Sequence, residues 1–401
     1  NNIFTLFWMI TNGLITGATV LGAQYWGKKD TKTIEQVLGI ALRYAMVVGI
    51  LFSILAISFP QTIMGFFSND ADVIREGTTY LRIVGISYVF TAFSMAYFSI
   101  IRSVEKVLLP SIVFVMSLGI NVFLNAVFIF GLFHMPKLGL AGVAIGTTTA
   151  RIFECVVCLI HGCFNRDIRI RLRNIFRRDK VLTKDFLHIS IPAIINDGAW
   201  ALAFSMYGVI LGHMGSDAVA ANAVANMALN IGAIVTRGFA NATTIIVGKA
   251  LGGGNIQVAK VYARRMVWLT LLFSCLGGVV ILAIRPWVMS LYVGKLTETA
   301  VRYLGAMLIM QSYHLVGEGL NTCWIGGCFR GGGDSRFGMI VDTLCMWLVA
   351  VPLMAAAAYL WKFSVIGVYF VMCLDEFEKM IPVMIHYRKF TWLKNITREI
   401  H

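Results

Sequence analysis

Long apolar runs separated by short polar stretches set the rhythm of this chain. A helix needs roughly 20 mainly apolar residues to cross a hydrocarbon core of about 30 Å. Such runs recur near 3–25, 36–60, 79–101, 109–132, 139–162, 186–212, 217–248, 261–284, 300–329, 337–360 and 364–386, which predicts eleven spanning helices. Backbone amides cannot stay unpaired in lipid, so runs of this length mean helices; the short alternating segments of a membrane barrel are missing.

Composition agrees: 58% of the 401 residues are hydrophobic and 13% charged, with a mean hydropathy of +0.77, far more than a water-soluble domain of this size needs. The net charge of +14 would suggest nucleic acid in a soluble protein, but here Lys and Arg gather on alternate loops. One set holds Lys28, Lys29 and Lys32, Arg102 and Lys106, the stretch from Arg166 to Lys184, Lys249 and Lys260, Arg330 and Arg336, and Arg388 to Arg398. The other set is nearly confined to Arg75, Lys137, Arg285, Lys295 and Lys362. The positive-inside rule then places the first set and the C-terminus in the cytoplasm and Asn1 outside, in a multi-pass protein of the plasma (inner) membrane. The expected partner is the lipid bilayer and no nucleic acid. The eight cysteines all lie in or at the ends of apolar spans, so the "CVVC" at 155–158 reads as packing.

The chain repeats itself. "GAQYWGKKD" at 22–30 and "VGKALGGGN" at 247–255 close apolar runs alike, and at the same offset "KLGLAGV" (137–143) falls on "KFSVIGV" (362–368). With a drift of three, "IIRSVEK" (100–106) pairs with "CFRGGGD" (328–334) through Arg102 and Arg330. A period this long excludes solenoids and matches the internal duplication of secondary transporters. Corresponding loops carry the basic charge, so the halves share an orientation and each requires an even number of spans. The second half has six and the first five, with Asn1 falling opposite Asn226; an N-terminal helix equivalent to 185–225 is therefore expected to be missing. The expected fold class is all-α: a polytopic membrane protein of two repeat-related six-helix lobes with about eleven helices present. The expected domains are an N-terminal lobe at 1–162, a basic cytoplasmic linker at 163–184, read as an amphipathic surface helix or a solvated link, and a C-terminal lobe with its tail at 185–401.

In order and spacing, "TGATVLGAQYWGKKD" (16–30), "NVFLNAVFIFG" (121–131), "LGLAGVAIGTTTAR" (138–151), "IPAIINDGAW" (191–200), "FRGGGDSRF" (329–337) and "WLKNIT" (392–397) resemble the multidrug and toxic compound extrusion (MATE) transporters of the oligosaccharidyl-lipid flippase superfamily. The resemblance implies a V-shaped pair of six-helix lobes that expels organic, often cationic compounds by alternating access, driven by Na+ or H+. A monomer is expected, with no cofactor beyond the coupling ion. Flippases of lipid-linked saccharides share the duplication and form the alternative. Gly13 and Gly17, like Gly208 and Gly212, are expected to let helices pack closely.

Ionisable groups inside a bilayer are functional candidates by default. Asn196 and Asp197 follow Pro192, which loosens its helix, and their oxygens suit Na+, or H+ on a desolvated carboxylate; no other metal site is expected. The resemblance implies an acidic residue in this helix, commonly Glu where this chain has Asp197. Glu318 lies mid-span between Gly317 and Gly319, and Asp342 stands ten residues before Pro352, affordable if it faces the bundle or pairs with Arg336. These four, Asp197, Glu318, Asp342 and Asn196, are the cation-coupling candidates. Asn121 and Asn125, four apart on one face, and Asp375 and Glu376, in a cluster with Glu378 and Lys379, are the substrate-cavity candidates. Glu154 pairs with Arg151 at i, i+3. His161, His188, His213 and His314 lack metal spacing and read as structural. "FRGGGDSR" and "GGGN" follow membrane helices and lack the Lys-Ser/Thr of a phosphate loop, so they read as turns, and energy must come from an ion gradient. No converging catalytic set points to an enzyme.

Overall fold

A computed structural model describes residues 2–65, 70–165, 167–177 and 179–398. Asn1 and two of the linker arginines, Arg166 and Arg178, lie outside the described residues. The described residues form helices and no strand: α1 (Asn2–Gly27), α2 (Thr31–Ser58), α3 (Pro60–Gly65), α4 (Ala71–Ser103), α5 (Leu108–Phe130), α6 (Gly139–Phe164), α7 (Leu172–Phe176), α8 (Lys180–His213), α9 (Ser216–Gly252), α10 (Ile256–Tyr292), α11 (Glu298–Asn321), α12 (Ser335–Leu344), α13 (Val351–Ala355), α14 (Val365–Met372), α15 (Asp375–Glu378) and α16 (Met380–Lys389). Among the described residues nine helical rods are long and apolar enough to cross a membrane, the last of them Ser335–Leu360. The remaining two expected spans are α11 with its π-helical extension Thr322–Phe329 and the interrupted series α14 to α16. Every predicted span thus has its rod. Several rods outrun the apolar window, as α4, α8 and α10 do, because their ends carry polar and basic residues that form helix as readily in water as apolar ones do in lipid.

The chain divides into two compact units, Asn1–Ile194 with Arg398–His401, and Ile195–Thr397. The division falls inside α8, which runs as one continuous helix through Pro192. The helix break expected from that proline is not there.

In the first unit α4 packs along both α2 and α6, and α1 lies against α2 and α4. Phe7 and Tyr88 stack at 4.9 Å, and Tyr97 Oη meets His161 Nδ1 at 2.6 Å. Gly13 and Gly17 do lie tight: a Cβ on Gly13 would stand 2.8 Å from the Ile194 backbone and one on Gly17 3.0 Å from the Phe186 carbonyl. Gly208 and Gly212 have nothing within 4 Å, so the close packing expected at that pair is absent; their helix face is open. Arg151 and Glu154 form the expected pair at 2.8 Å. The linker is pinned rather than loose: Glu35 on α2 accepts from the Arg169 amide at 3.0 Å and from Arg171 Nε at 2.8 Å. Between α6 and α8 its described residues include the five-residue α7, with Leu172 and Phe176 exposed.

The second unit has two apolar cores. One joins α8, α9, α11 and α14 through Leu211, Ala225, Leu308, Leu315 and Tyr369. The other closes around Trp392, fully buried with Phe329, Trp324 and Val383. The tail is bonded down, with the Lys394 amide donating to the Gly332 carbonyl at 2.9 Å and Asn395 Nδ2 to the Leu251 carbonyl at 3.0 Å. Large apolar side chains elsewhere face outward, among them Val115, Phe123, Leu276 and Leu348, as a lipid-facing surface requires.

The duplication is visible in the turns. After α1, Lys29 takes a left-handed conformation (φ 62), and the Lys29 and Asp30 amides donate to the Trp26 and Tyr25 carbonyls at 3.0 Å. After α9, Gly254 (φ 77) does the same, its amide and that of Asn255 reaching the Leu251 and Ala250 carbonyls at 2.9 Å. Glu105 (φ 64) ends α4, its amide and that of Lys106 donating to the Arg102 and Ile101 carbonyls, and Gly333 (φ 78) with Asp334 repeats the pattern on Arg330 and Phe329. Each is the left-handed close that satisfies the last carbonyls of a helix. The two loops that tempt a phosphate-loop reading are these helix stops.

Candidate functional site

The helices of the second unit lose regularity in several places, and buried ionisable groups stand beside the breaks. α11 passes into a π-helical turn at Thr322–Phe329, just after Glu318 and Asn321. α12, which carries Asp342, passes into another at Cys345–Ala350, and a third follows at Ala356–Leu360. The last span is interrupted ahead of Asp375 and Glu376, and again at Lys379. Prolines account for part of this: Pro352 and Pro382 lack the amide that the carbonyl four residues earlier would receive. Irregular backbone at membrane depth is tolerated where protein or a cavity covers it, and π turns collect at functional sites. In the first unit α1, α2, α4, α5 and α6 run without such interruptions.

The side chains at these breaks form one bonded series. Arg330 Nη2 donates to Asp197 Oδ1 at 2.8 Å and to Asn196 Oδ1 at 3.1 Å. Asn196 Nδ2 donates to Asp342 Oδ2 at 2.8 Å. Lys379, 2% exposed, bridges Asp342 Oδ1 at 2.8 Å and Glu376 Oε1 at 2.9 Å. Asn321 Nδ2 then donates to Glu376 Oε2 at 2.8 Å. Beside the series, His314 Nε2 lies 3.1 Å from Asp375 Oδ1, and Tyr207 Oη donates to Asp375 Oδ2 at 3.3 Å. Arg237 Nη2 reaches Glu318 Oε1 at 3.1 Å. Gly317 makes the approach of α15 feasible, since a Cβ there would stand 2.8 Å from Glu376 Cβ.

A cleft of about 500 Å³, counted to its open mouth, exposes this chemistry. It is lined by Trp200, Phe204 and Tyr207, the first two stacked at 5.2 Å, by Met346 and Met372, and by Arg237, Gln311, His314, Glu318, Asp375 and Glu376. The charge does not balance. Five carboxylates (Asp197, Glu318, Asp342, Asp375, Glu376) meet three permanent cations (Arg237, Arg330, Lys379), which leaves two negative charges while His314 is neutral. Buried charge of this kind is weak evidence for stability and fits a switch or binding role. One ligand atom from each of His314, Asp375 and Glu376 falls within 4.8 Å of the others, but these groups already engage one another, Lys379 and Asn321. In this structure the trio is a hydrogen-bonded group.

Of the residues singled out from the sequence, Asn196, Asp197, Asp342 and Glu376 lie in the bonded series, and Glu318, Asp375 and Glu376 line the cleft. Of the two readings of Asp342, it is buried among its neighbours, and its cation is Lys379 and not Arg336, which is exposed. Asp197 and Asn196 turn their oxygens toward a guanidinium instead of forming an open oxygen cage. Asn121 and Asn125 lie elsewhere, bonded to each other at 3.2 Å and to Thr147 on α6 at 3.1 Å, and they do not line this cleft. Sequence reasoning missed Arg330 and His314 as members of the site and gave Lys379, noted beside the acidic cluster, no role in it. A lysine inside an apolar span is as costly as an aspartate, and that alone could have flagged Lys379.

Spanning helices, duplicated helix stops, broken helices and a carboxylate-lined cleft together fit a membrane transporter of the duplicated kind. The chain belongs to the MatE family, whose sequence model matches residues 1–127 and 192–372. It is 26% identical over its whole length to the probable multidrug resistance protein YoeA of Bacillus subtilis, covering 87% of that protein. It is 22% identical to the probable multidrug resistance protein NorM of Thermotoga maritima, with 98% of this chain and 85% of that one covered. Among solved structures it is similar to a MOP superfamily transporter from Pyrococcus furiosus, described as having a binding pocket of reverse polarity. That likeness has a TM-score of 0.89 at 18% identity and covers 98% and 86% of the two chains.

Proposed function

We propose that this protein is a cation-coupled exporter of organic, amphipathic cations, including drugs, that works by alternating access as a monomer in the plasma membrane with its C-terminus in the cytoplasm. The observation that carries this reading is the uncompensated negative charge beside the aromatic lining of the cleft. Aromatic faces attract organic cations, and Met346 and Met372 adapt to varied shapes. An entering Na+ or H+ takes up the same excess charge. At an effective dielectric of about 20, a unit charge about 8 Å away is worth ~2 kcal/mol, or about thirtyfold in affinity. Substrate and coupling ion therefore weaken one another's binding by the same factor, which is the requirement for exchange. The names of the relatives, multidrug resistance proteins, support the substrate class. The reading is tested with a fluorescent organic cation in proteoliposomes. Gradient-driven transport that Asp375→Asn abolishes supports it. Absence of transport under either ion gradient with correctly inserted protein, together with movement of a lipid-linked saccharide, would replace it with the flippase.

A further inference from the structure

Lys379 sits between α15 and α16, 2% exposed, with its ammonium on Asp342 and Glu376. Those carboxylates come from two different spans, and the remaining oxygen of each is spent as well, on Asn196 Nδ2 and Asn321 Nδ2. A bound monovalent cation would do what this ammonium does, satisfying two anions across a helix interface. The lysine does it without leaving. Asp197 is held by Arg330 and Glu318 by Arg237, which leaves Glu318 one unpartnered oxygen, Oε2. Asp375 alone among the five lacks a permanent cation: its partners are the neutral Tyr207 hydroxyl and His314, which is cationic only when protonated. His314 Nδ1 is buried and has no partner.

We propose that Lys379 is a tethered counter-cation that fills the Asp342–Glu376 pair and shuts out external Na+, leaving the His314–Asp375 pair as the ion-accepting element, so that the coupling ion is a proton. This rests on the exporter reading for its purpose, though not for its test. The proton comes from bulk water and adds to the lone pair at Nδ1, so the pair passes from a net charge of −1 to 0; deprotonation toward the opposite side of the membrane restores it. The pair titrates as a unit. The groups around it are Glu318 on α11, Tyr207 on α8, Arg237 with Asn226 and Asn230 on α9, and Tyr369 and Cys373 at the end of the α14 segment. Glu376, Glu378 and Lys379 follow Asp375, and Asp342 stands behind Lys379. On α10, Arg285 is engaged by the Gly305 carbonyl, nine residues before His314.

The test uses purified protein in detergent, reading Trp200 in the cleft by its fluorescence, with Trp200→Phe to identify the signal. Titration between about pH 5 and 9 is run in choline chloride and again in sodium chloride. The expected result is a transition that His314→Gln abolishes and that Na+ leaves in place. If Na+ competed for the same element, a hundredfold rise in its concentration would move the midpoint by about two pH units, and that result would overturn the proposal, as would absence of any His314-dependent transition. Lys379→Gln opens the carboxylate pair and should create a Na+-dependent fluorescence change. Should that variant not fold, Lys379→Gln with Asp342→Asn should fold, keep the pH transition and remain blind to Na+. Na+-driven efflux at clamped pH by the unaltered protein would overturn this inference and leave the exporter reading standing. A sound titration without efflux of any organic cation would do the reverse.

Discussion

Replacing Lys379 by Met is the sharpest perturbation of the buried series, because the side chain is nearly isosteric and removes only the charge. At an effective dielectric of about 20, unit charges at the 2.8 Å separation of Lys379 and Asp342 attract by about 6 kcal/mol. The contact to Glu376 at 2.9 Å contributes about the same. Desolvation of three ions offsets most of that attraction, at several kcal/mol for each ion. Lys379→Met recovers the desolvation of the ammonium alone and leaves two carboxylates buried side by side. The expected loss is about 3–5 kcal/mol, the usual result of removing one partner from a buried ion pair. Equilibrium unfolding in mixed detergent micelles near neutral pH measures it. The deficit should shrink as the pH falls, since unpaired buried carboxylates neutralise themselves by taking up protons. Lys379→Met combined with Asp342→Asn and Glu376→Gln should recover at least half of the loss, because no charge is then stranded. A single variant as stable as the parent, or a triple variant worse than the single, would refute the view that the three charges act as a unit.

Gly317→Ala should cost about 1–3 kcal/mol and depress transport, since its Cβ would meet Glu376 Cβ at 2.8 Å, whereas Gly326→Ala, with only Thr322 Cγ2 at 3.8 Å, should be close to neutral in the same unfolding assay. At the duplicated turns, Lys29→Gly should stabilise by about 1 kcal/mol and Gly254→Ala should destabilise by about as much, because each position holds a left-handed backbone. Leucine at both Asn121 and Asn125 should leave the KM for an exported cation within about twofold, as these amides bond each other and Thr147 and do not line the cleft. A tenfold rise in KM would return them to the substrate path.

The spans were legible because lipid leaves the backbone no choice but helix, and the apolar windows show where. The duplication was legible in "GAQYWGKKD" and "VGKALGGGN" because both spell the same helix stop, with Lys29 and Gly254 as the left-handed residue and Asp30 and Asn255 after it. Where each rod begins was less legible, since helix continues past the membrane in residues that hydropathy does not register. The carboxylates announced themselves by their cost in an apolar span, yet their partners did not. Lys379 reaches Glu376 at i, i+3, a spacing open to inspection, but its link to Asp342 depends on how α12 and α15 meet. His314 read as structural because no metal spacing accompanied it; its partner Asp375 lies 61 positions along the chain. The π turns had no signal beyond Pro352.

The most direct test of the central claim needs no imposed ion gradient. Protein is reconstituted into vesicles carrying a pH-sensitive dye, an amphipathic organic cation is added to one side, and lumenal pH is followed in the presence and absence of Na+. Proton movement opposite to the cation, independent of Na+ and lost in Asp375→Asn, is the result the account predicts. Movement of the cation without proton flux, or flux that requires Na+, would contradict it.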